Sequence, residues 1–346
     1  MKVNFSFIIQ ALLAALFFGA SAPISKLLLG DVQPVLMAAF LYLGSGTGVS
    51  LIKLYQRLTS NQKEAGIKSP DVKWLAGAII SGGILAPIIL MISLKNTPAS
   101  TASLLLNFEG VGTTLIALFF FRESISRRAL VAIAAITIAS IFLSTNFESG
   151  FGFSLSALGI LLACLLWGVD NNFTRNISAK DPLTIVAWKG LVAGTFSLIL
   201  ALFLHQQLPA LITIFSILLL GFISYGLSTM LFIYSLRGLG AARTSALYGT
   251  APLAGVLLSV LIFKDPITFL FGIAAVLMIV GALLLANEEH AHFHIHMPVV
   301  HEHIHRHEDF HDHDETEIAH SHEHKHPRTE HEHGHMPDIH HRHEDE

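Results

Sequence analysis

Two groups of residues in this sequence carry side chains suited to chemistry, and they lie in different kinds of chain. The first is a run of imidazoles. Of 21 histidines, all but His205 follow residue 289, mostly in His-x-His steps. They are His290, His292, His294 and His296; His301, His303, His305 and His307; His311 and His313; His320, His322, His324 and His326; His331, His333 and His335; and His340, His341 and His343. Neutral imidazole is a borderline ligand for zinc, nickel, copper and cobalt, so the run is a candidate divalent transition-metal binder. Imidazole also titrates near pH 6.5, which makes pH sensing the alternative use. The second group is small and lies inside apolar stretches: Asn107 and Glu109, then Trp167, Asp170, Asn171 and Asn172, then Lys189. A charge at the centre of a membrane helix costs roughly 2.5–3.5 kcal/mol, so each ionisable one is a functional candidate. Glu109 can bind a cation, hold a proton or recognise an amine; a neutral acid hydrogen-bonded between helices is the plainer reading. Asp170 and Lys189 have opposite signs and fit a reciprocal ion pair, structural or gating. Trp167, Asn171 and Thr174 recur at helical spacing as a polar, aromatic-edged stripe. The plainer reading of Asp170 is a helix-end residue paired with Arg175.

These residues need elements to position them. The chain of 346 residues is 52% hydrophobic and 13% charged, where soluble domains carry about a quarter charged residues. Residues 1–289 hold 17 Lys/Arg and 11 Asp/Glu, whereas residues 290–346 hold 4 and 14. A basic apolar body thus precedes an acidic tail. A spanning helix needs about 20 apolar residues. Ten such runs are read, near 6–29, 33–53, 73–94, 98–121, 127–145, 153–174, 182–204, 211–235, 242–263 and 267–286. Lys2 and Ala20-Ser21-Ala22 imitate a cleavable signal. Pro23 after the cut, and an internal counterpart of the segment, argue against cleavage. Cys164 is the single cysteine, so no internal disulfide is expected. The tail is too polar to bury a core of its own and is expected to be disordered.

Lys and Arg in short loops set orientation. With the N-terminus in the cytoplasm, Lys2, Lys53, Arg57, Lys63, Lys68, Lys73, Arg122, Arg127, Arg128, Arg175, Lys180, Arg237 and Arg243 fall inside, and only Lys95 and Lys264 outside. Ten spans then return the C-terminus to the cytoplasm. The halves also repeat. Phe18-Gly19 matches Trp167-Gly168, Gln33-Pro34 matches Asp181-Pro182, and Phe121-Arg122-Glu123 matches Phe263-Lys264-Asp265. Five spans per unit is odd, so the second unit is inverted relative to the first, a construction used by secondary transporters.

In these features the chain resembles the EamA-type permeases of the drug/metabolite transporter superfamily. The resemblance covers about residues 1–287. It rests on an opening helix with an aromatic-Gly pair in each half, and a fourth helix running from small residues to a terminal acidic residue. It implies an all-α membrane fold of ten transmembrane helices in two inverted five-helix repeats, 1–149 and 150–287; the His-rich tail, 288–346, expected to be disordered from its composition, follows outside the resemblance. The family pattern has proline in the middle of each fourth helix. Pro252 fits, while Gly110 stands at the other position, after Glu109. The resemblance also implies a basic cavity residue at Lys189.

The function expected is a secondary transporter in the cytoplasmic (inner) membrane. It moves a small polar or zwitterionic metabolite, outward and coupled to protons, and carries a metal-binding regulatory or buffering tail. No Gly-x-x-x-x-Gly-Lys-Ser/Thr loop, His-Glu-x-x-His or Gly-x-Ser-x-Gly is present, so no enzyme is expected. Transport needs no cofactor on this reading; zinc, nickel, copper or cobalt is expected on the tail. The bilayer, a small-molecule solute and transition-metal ions are the expected partners, with no nucleic acid and a homodimer left open. Two alternatives remain: a transporter of zinc, nickel or cobalt fed by the tail, and a non-transporting membrane-anchored metal sensor. Gly44-x-x-x-Gly48 and Gly190-x-x-x-Gly194 read as close helix contacts, and Lys26 as a snorkelling side chain.

Overall fold

The computed structural model describes residues 5–59, 64–121, 127–146, 152–177, 180–239, 244, 247–265, 267–286, 290–296, 299–306, 319–326 and 329–335. A helix occupies each of the ten apolar stretches. The first holds α1 (Phe5–Gly19) and α2 (Ser21–Leu28), and the second α3 (Pro34–Thr59). The third runs through α4 (Val72–Ala78), a π-helical segment Ile79–Leu85 and α5 (Ala86–Leu94). The fourth holds α6 (Ala99–Leu105) and α7 (Phe108–Phe121), and the fifth α8 (Arg127–Ser144). Then follow α9 (Leu155–Arg175) and α10 (Pro182–Phe203). The eighth stretch comprises α11 (Leu211–Gly221), a second π-helical segment Phe222–Leu227 and α12 (Ser228–Leu239). Last come α13 (Ala251–Phe263) and α14 (Phe269–Ala286).

Among the described residues, seven of these stretches, from Ser6–Leu28 to Leu211–Ser235, are helices long and apolar enough to cross a membrane, whereas Leu130–Ser144, Ala251–Phe263 and Phe269–Leu284 are shorter apolar helices. Large apolar side chains face outward, with Leu211 83% and Phe269 87% exposed. Apolar surface on this scale calls for lipid around the bundle.

The helix contacts keep their pattern when each stretch is exchanged for the one five places away. The second packs on the seventh (α3 on α10) and the fifth on the tenth (α8 on α14). The fourth packs on the sixth (α7 on α9) as the ninth packs on the first (α13 on α1). The third also packs on the sixth (α5 on α9), matched by the eighth on the first (α12 on α1). Small residues permit these approaches, because packing rather than hydrophobic burial holds helices together in lipid. A Cβ on Gly190 would lie 2.5 Å from the Gly46 nitrogen, and one on Gly194 2.6 Å from the Leu43 nitrogen. Gly44 meets the Leu218 backbone and Gly48 the Phe222 ring. Both Gly-x-x-x-Gly spacings are therefore helix contacts, as read.

Three features depart from the sequence reading. Lys26 does not snorkel: its Nζ donates to the Leu94 carbonyl at 3.0 Å and to that of Thr97, closing the C-terminal end of α5, where backbone carbonyls lack partners. The fourth stretch is not one helix, because a turn at Leu106–Asn107 separates α6 from α7. The tail is not described as a structureless coil. Its described parts are strands β3 (His290–His296), β4 (Val299–Arg306), β5 (Ala319–His326) and β6 (Thr329–His335), after the short pair β1 (Thr145–Asn146) and β2 (Gly152–Phe153). β3 pairs with β6 and β4 with β5, each antiparallel. The His-x-His alternation that looked like composition alone is also the two-residue period of a strand. His307, His311, His313, His340, His341 and His343 lie outside the described residues.

Candidate functional site

Both fourth helices of the repeats break in mid-course. In the first, the turn at Leu106–Asn107 places Asn107 at the break and Glu109 in the first turn of α7. In the second, a turn at 249–250 precedes α13, which carries Pro252 in its first turn. A helix N-terminus has free N–H groups and favours negative charge, so the start of α7 suits the Glu109 carboxylate. Discontinuous helices of this kind build midplane sites in transporters.

The aromatic-Gly pairs bring the opening helices against these breaks. A Cβ on Gly168 would lie 2.7 Å from the Gly112 carbon and the Thr113 nitrogen of α7, and one on Gly19 would overlap the Ala251 carbonyl at the start of α13. With the helices so close, Asn171 Nδ2 donates to Glu109 Oε1 at 2.8 Å and to Thr113 Oγ1 at 3.1 Å. Asn172 Nδ2 donates to the Thr113 carbonyl at 3.0 Å and the Gly168 carbonyl at 2.8 Å. Glu109 and Asn107 are half-buried, and no side-chain hydrogen bond of Asn107 is seen among the described residues.

Asp170 lies one step round α9. The residue is 2% exposed; its carboxylate Oδ2 accepts from Lys189 Nζ, and Oδ1 from Thr174 Oγ1 at 3.0 Å. The anticipated pairing with Lys189 is present. Gly82, in the first π-helical segment, seats against this carboxylate so closely that a Cβ there would overlap it. Its carbonyl accepts from Tyr42 OH at 2.5 Å and from Trp167 Nε1 at 3.0 Å. A π-helical turn disturbs the regular i→i−4 ladder and is frequent at functional sites, and here its carbonyl binds two aromatic donors. The stripe read from spacing is thereby divided: Trp167 bonds the third stretch, Thr174 bonds Asp170 on its own helix, and Asn171 bonds the fourth.

Sequence reasoning missed the aromatic continuation of this site. Tyr42 lies 5.7 Å from Tyr225, Tyr225 6.2 Å from Phe18, Phe18 5.7 Å from Tyr248, and Tyr248 4.7 Å from Phe232, centroid to centroid. The series reaches both halves. The available signal was the match of Ile80-Ser81-Gly82-Gly83 to Ile223-Ser224-Tyr225-Gly226 between the two π-helical segments.

Gly82→Ala is expected to overpack this point and push Asp170 from Lys189. Overpacking costs about 1–3 kcal/mol, to be read as a lower melting temperature in detergent; an unchanged value contradicts the contact.

A second ionic cluster closes the helix ends that sequence reading assigns to the cytoplasm. Lys53 Nζ lies 2.6 Å from Asp181 Oδ2 and also contacts Thr184 Oγ1, and Leu183 N–H donates to Asp181 Oδ1 at 3.0 Å. Burial pushes the Asp181 carboxyl up, and Lys53, Thr184 and the Leu183 N–H outweigh it, leaving its pKa below the ordinary aspartate value. A depressed carboxyl pKa contributes stability that is complete above the unfolded value of about 3.9 and is lost as pH falls through the folded value. Melting curves on the acid side are expected to lose this contribution in Asp181→Asn, and a slope identical to wild type contradicts it.

The EamA-like transporter family model matches residues 5–145 and again 154–287. The chain belongs to the EamA-like transporter family. This EamA-like chain is also 26% identical over 294 residues to a protein of Methanothermobacter thermautotrophicus described as an uncharacterized transporter, covering 80% of this chain and 85% of that one. A protein of known crystal structure, 19% identical, superposes with a TM-score of 0.58 over 82% of this chain and 96% of its own, which shows the shared fold. The EamA-like chain is thus a multi-pass membrane protein of a transporter family.

Proposed function

We propose that this EamA-like protein is a proton-coupled secondary transporter that exports a small polar or zwitterionic metabolite across the cytoplasmic membrane. On this reading ten helices cross, in two inverted repeats bounded at about residues 149 and 287. Both termini are cytoplasmic, as the placement of Lys and Arg in the loops indicates. The observation that carries the proposal is the half-buried Glu109 at the break in the fourth helix, held by Asn171 beside the buried Asp170–Lys189 pair.

The division of labour follows from charge. Glu109 takes up a proton or an amine, one excluding the other, so loading from one side displaces the other species. The N-terminus of α13 supplies N–H groups toward an acidic end of the solute. Trp167 and Tyr42 hold the Gly82 carbonyl and wall the site. The Asp170–Lys189 pair fixes α9 to α10 in one state and opens in the other. A pooled set of free amino acids loaded into proteoliposomes tests this. Release accelerated by an imposed pH gradient supports the reading, and equal release with and without protein overturns it.

The tail is assigned to a divalent transition metal, as buffer or sensor at the cytoplasmic face. Transport of the metal itself is the weaker reading. Among the described residues no group of three or more His, Cys, Asp or Glu side chains is placed to hold a metal ion, and Glu109 and Asp170 alone offer few ligands.

A further inference from the structure

The outer half of the fourth stretch is placed differently from the rest of its repeat. α1 gathers α12 and α13 around it, and α9 gathers α5 and α7, one group being the counterpart of the other. α6 is joined by the chain to α7 but packs mainly on α13 and α2, in the opposite group. The crossing is made at the turn at Leu106–Asn107, immediately before α7 and its Glu109. Small residues form the contact of α6 with α13: a Cβ on Gly255 would lie 2.7 Å from Ser103 Oγ. Ser103 keeps its hydroxyl within α6, donating to the Ala99 carbonyl at 2.8 Å. The two helices can therefore part there without orphaning that donor.

Two charges hold the other end of α6. Asp265, in the link after α13, accepts from the Ser100 N–H at 3.0 Å and from Ser100 Oγ at 2.8 Å. Lys26, in α2, donates to the Leu94 and Thr97 carbonyls just before α6. Asp265 also lies within electrostatic reach of the Lys26 ammonium. Both charges belong to the group around α1, and all their partners lie on the segment running from α5 into α6. That segment is clamped from two sides at one end of α6, and α6 is free to turn at the other.

We propose that α6 is a hinged gate at the outer mouth, turning about Leu106–Asn107 and latched by Lys26 and Asp265. The inference rests on the transport reading and on the orientation taken from the placement of Lys and Arg. When one helix group rocks against the other, the contacts that close a face must be released as that face opens. The clamp supplies such contacts, since its hydrogen bonds are charge-assisted and cross between the groups. Once released, Lys26 and Asp265 stay together in one group and can pair with each other, so opening strands neither charge. The hinge adjoins the start of α7, so movement of α6 is felt at Glu109, the residue that takes up the proton or amine.

Side-specific labelling tests the gate. The reporter is Thr113→Cys in a Cys164→Ala background of the full-length protein, exposed to a membrane-impermeant thiol reagent in right-side-out and inside-out vesicles. Adding Asp265→Ala or Lys26→Met is expected to quicken labelling in right-side-out vesicles about tenfold, the population shift that follows loss of a charge-assisted hydrogen bond from one of two states. Labelling in inside-out vesicles should slow. Ser100→Ala, which keeps the backbone N–H, should give a smaller change in the same direction. The converse variant, Ser100→Cys with Asp265→Cys, makes the latch covalent on oxidation and leaves its thiols inert to the reagent. Right-side-out labelling of the reporter should then stop while inside-out labelling continues. A clamp that only fastens the fold would lower the melting temperature without changing which side reaches the reporter; that result overturns the gate and leaves the transport reading standing. Quickened labelling in inside-out vesicles instead overturns its placement at the outer face. A reporter unreactive from both sides in every variant overturns the gate and the transport reading together.

Discussion

Glu109→Gln is expected to reduce gradient-driven export by about ten- to a hundredfold while the protein still folds. Glutamine keeps the size and the acceptor for Asn171 Nδ2, which lies 2.8 Å from Oε1, but it can neither carry a proton nor attract an amine. Hydrogen bonds to a charged group contribute about 1.5–3 kcal/mol, which sets the range. Proton coupling requires more than weakened binding. The glutamine variant should still exchange solute for solute across the membrane and should lose its response to an imposed pH gradient. Glu109→Asp, which retains the charge, should recover part of that response. A glutamine variant that still concentrates amino acids on a pH gradient removes Glu109 from the coupling step.

The second large effect is expected at Asp170 and Lys189. Breaking a buried ion pair from one side leaves an uncompensated charge and costs about 3–5 kcal/mol. With Asp170 2% exposed, Asp170→Asn and Lys189→Met should each melt well below wild type. The double variant removes both charges and should recover most of the loss. A purely structural pair would restore transport along with stability. On the present account the restored protein stays inactive, because the pair must form and open during the cycle. Full flux in a stable double variant would leave the pair a fastening only.

The body was legible in the sequence because lipid demands long apolar runs and these are hard to mistake. All ten stretches read from composition carry helices. The breaks were less legible: Asn107 within an apolar stretch marks a turn only once α6 and α7 are seen packing against different neighbours. The pairing of Asp170 with Lys189 was foreseeable from two opposite charges at comparable depth. That Trp167 and Asn171 would serve different helices was not, since they lie only about 40° apart on a helical wheel of 3.6 residues per turn, and the neighbouring helices decide which each one meets. Tyr42, Tyr225 and Tyr248 resemble any other aromatic residues of a membrane helix until the π-helical segments align them. In the tail, histidine content concealed the strand period that the same residues carry.

Alternating access at the Glu109 site is the centre of this account, and it can be measured directly. Thr113, whose hydroxyl accepts from Asn171, is replaced by cysteine in a Cys164→Ala background, and a membrane-impermeant thiol reagent is applied to right-side-out and inside-out vesicles. The account expects labelling in both, slowed from both sides by an amino acid that the protein exports. Labelling confined to one side, or absent from both, would contradict it.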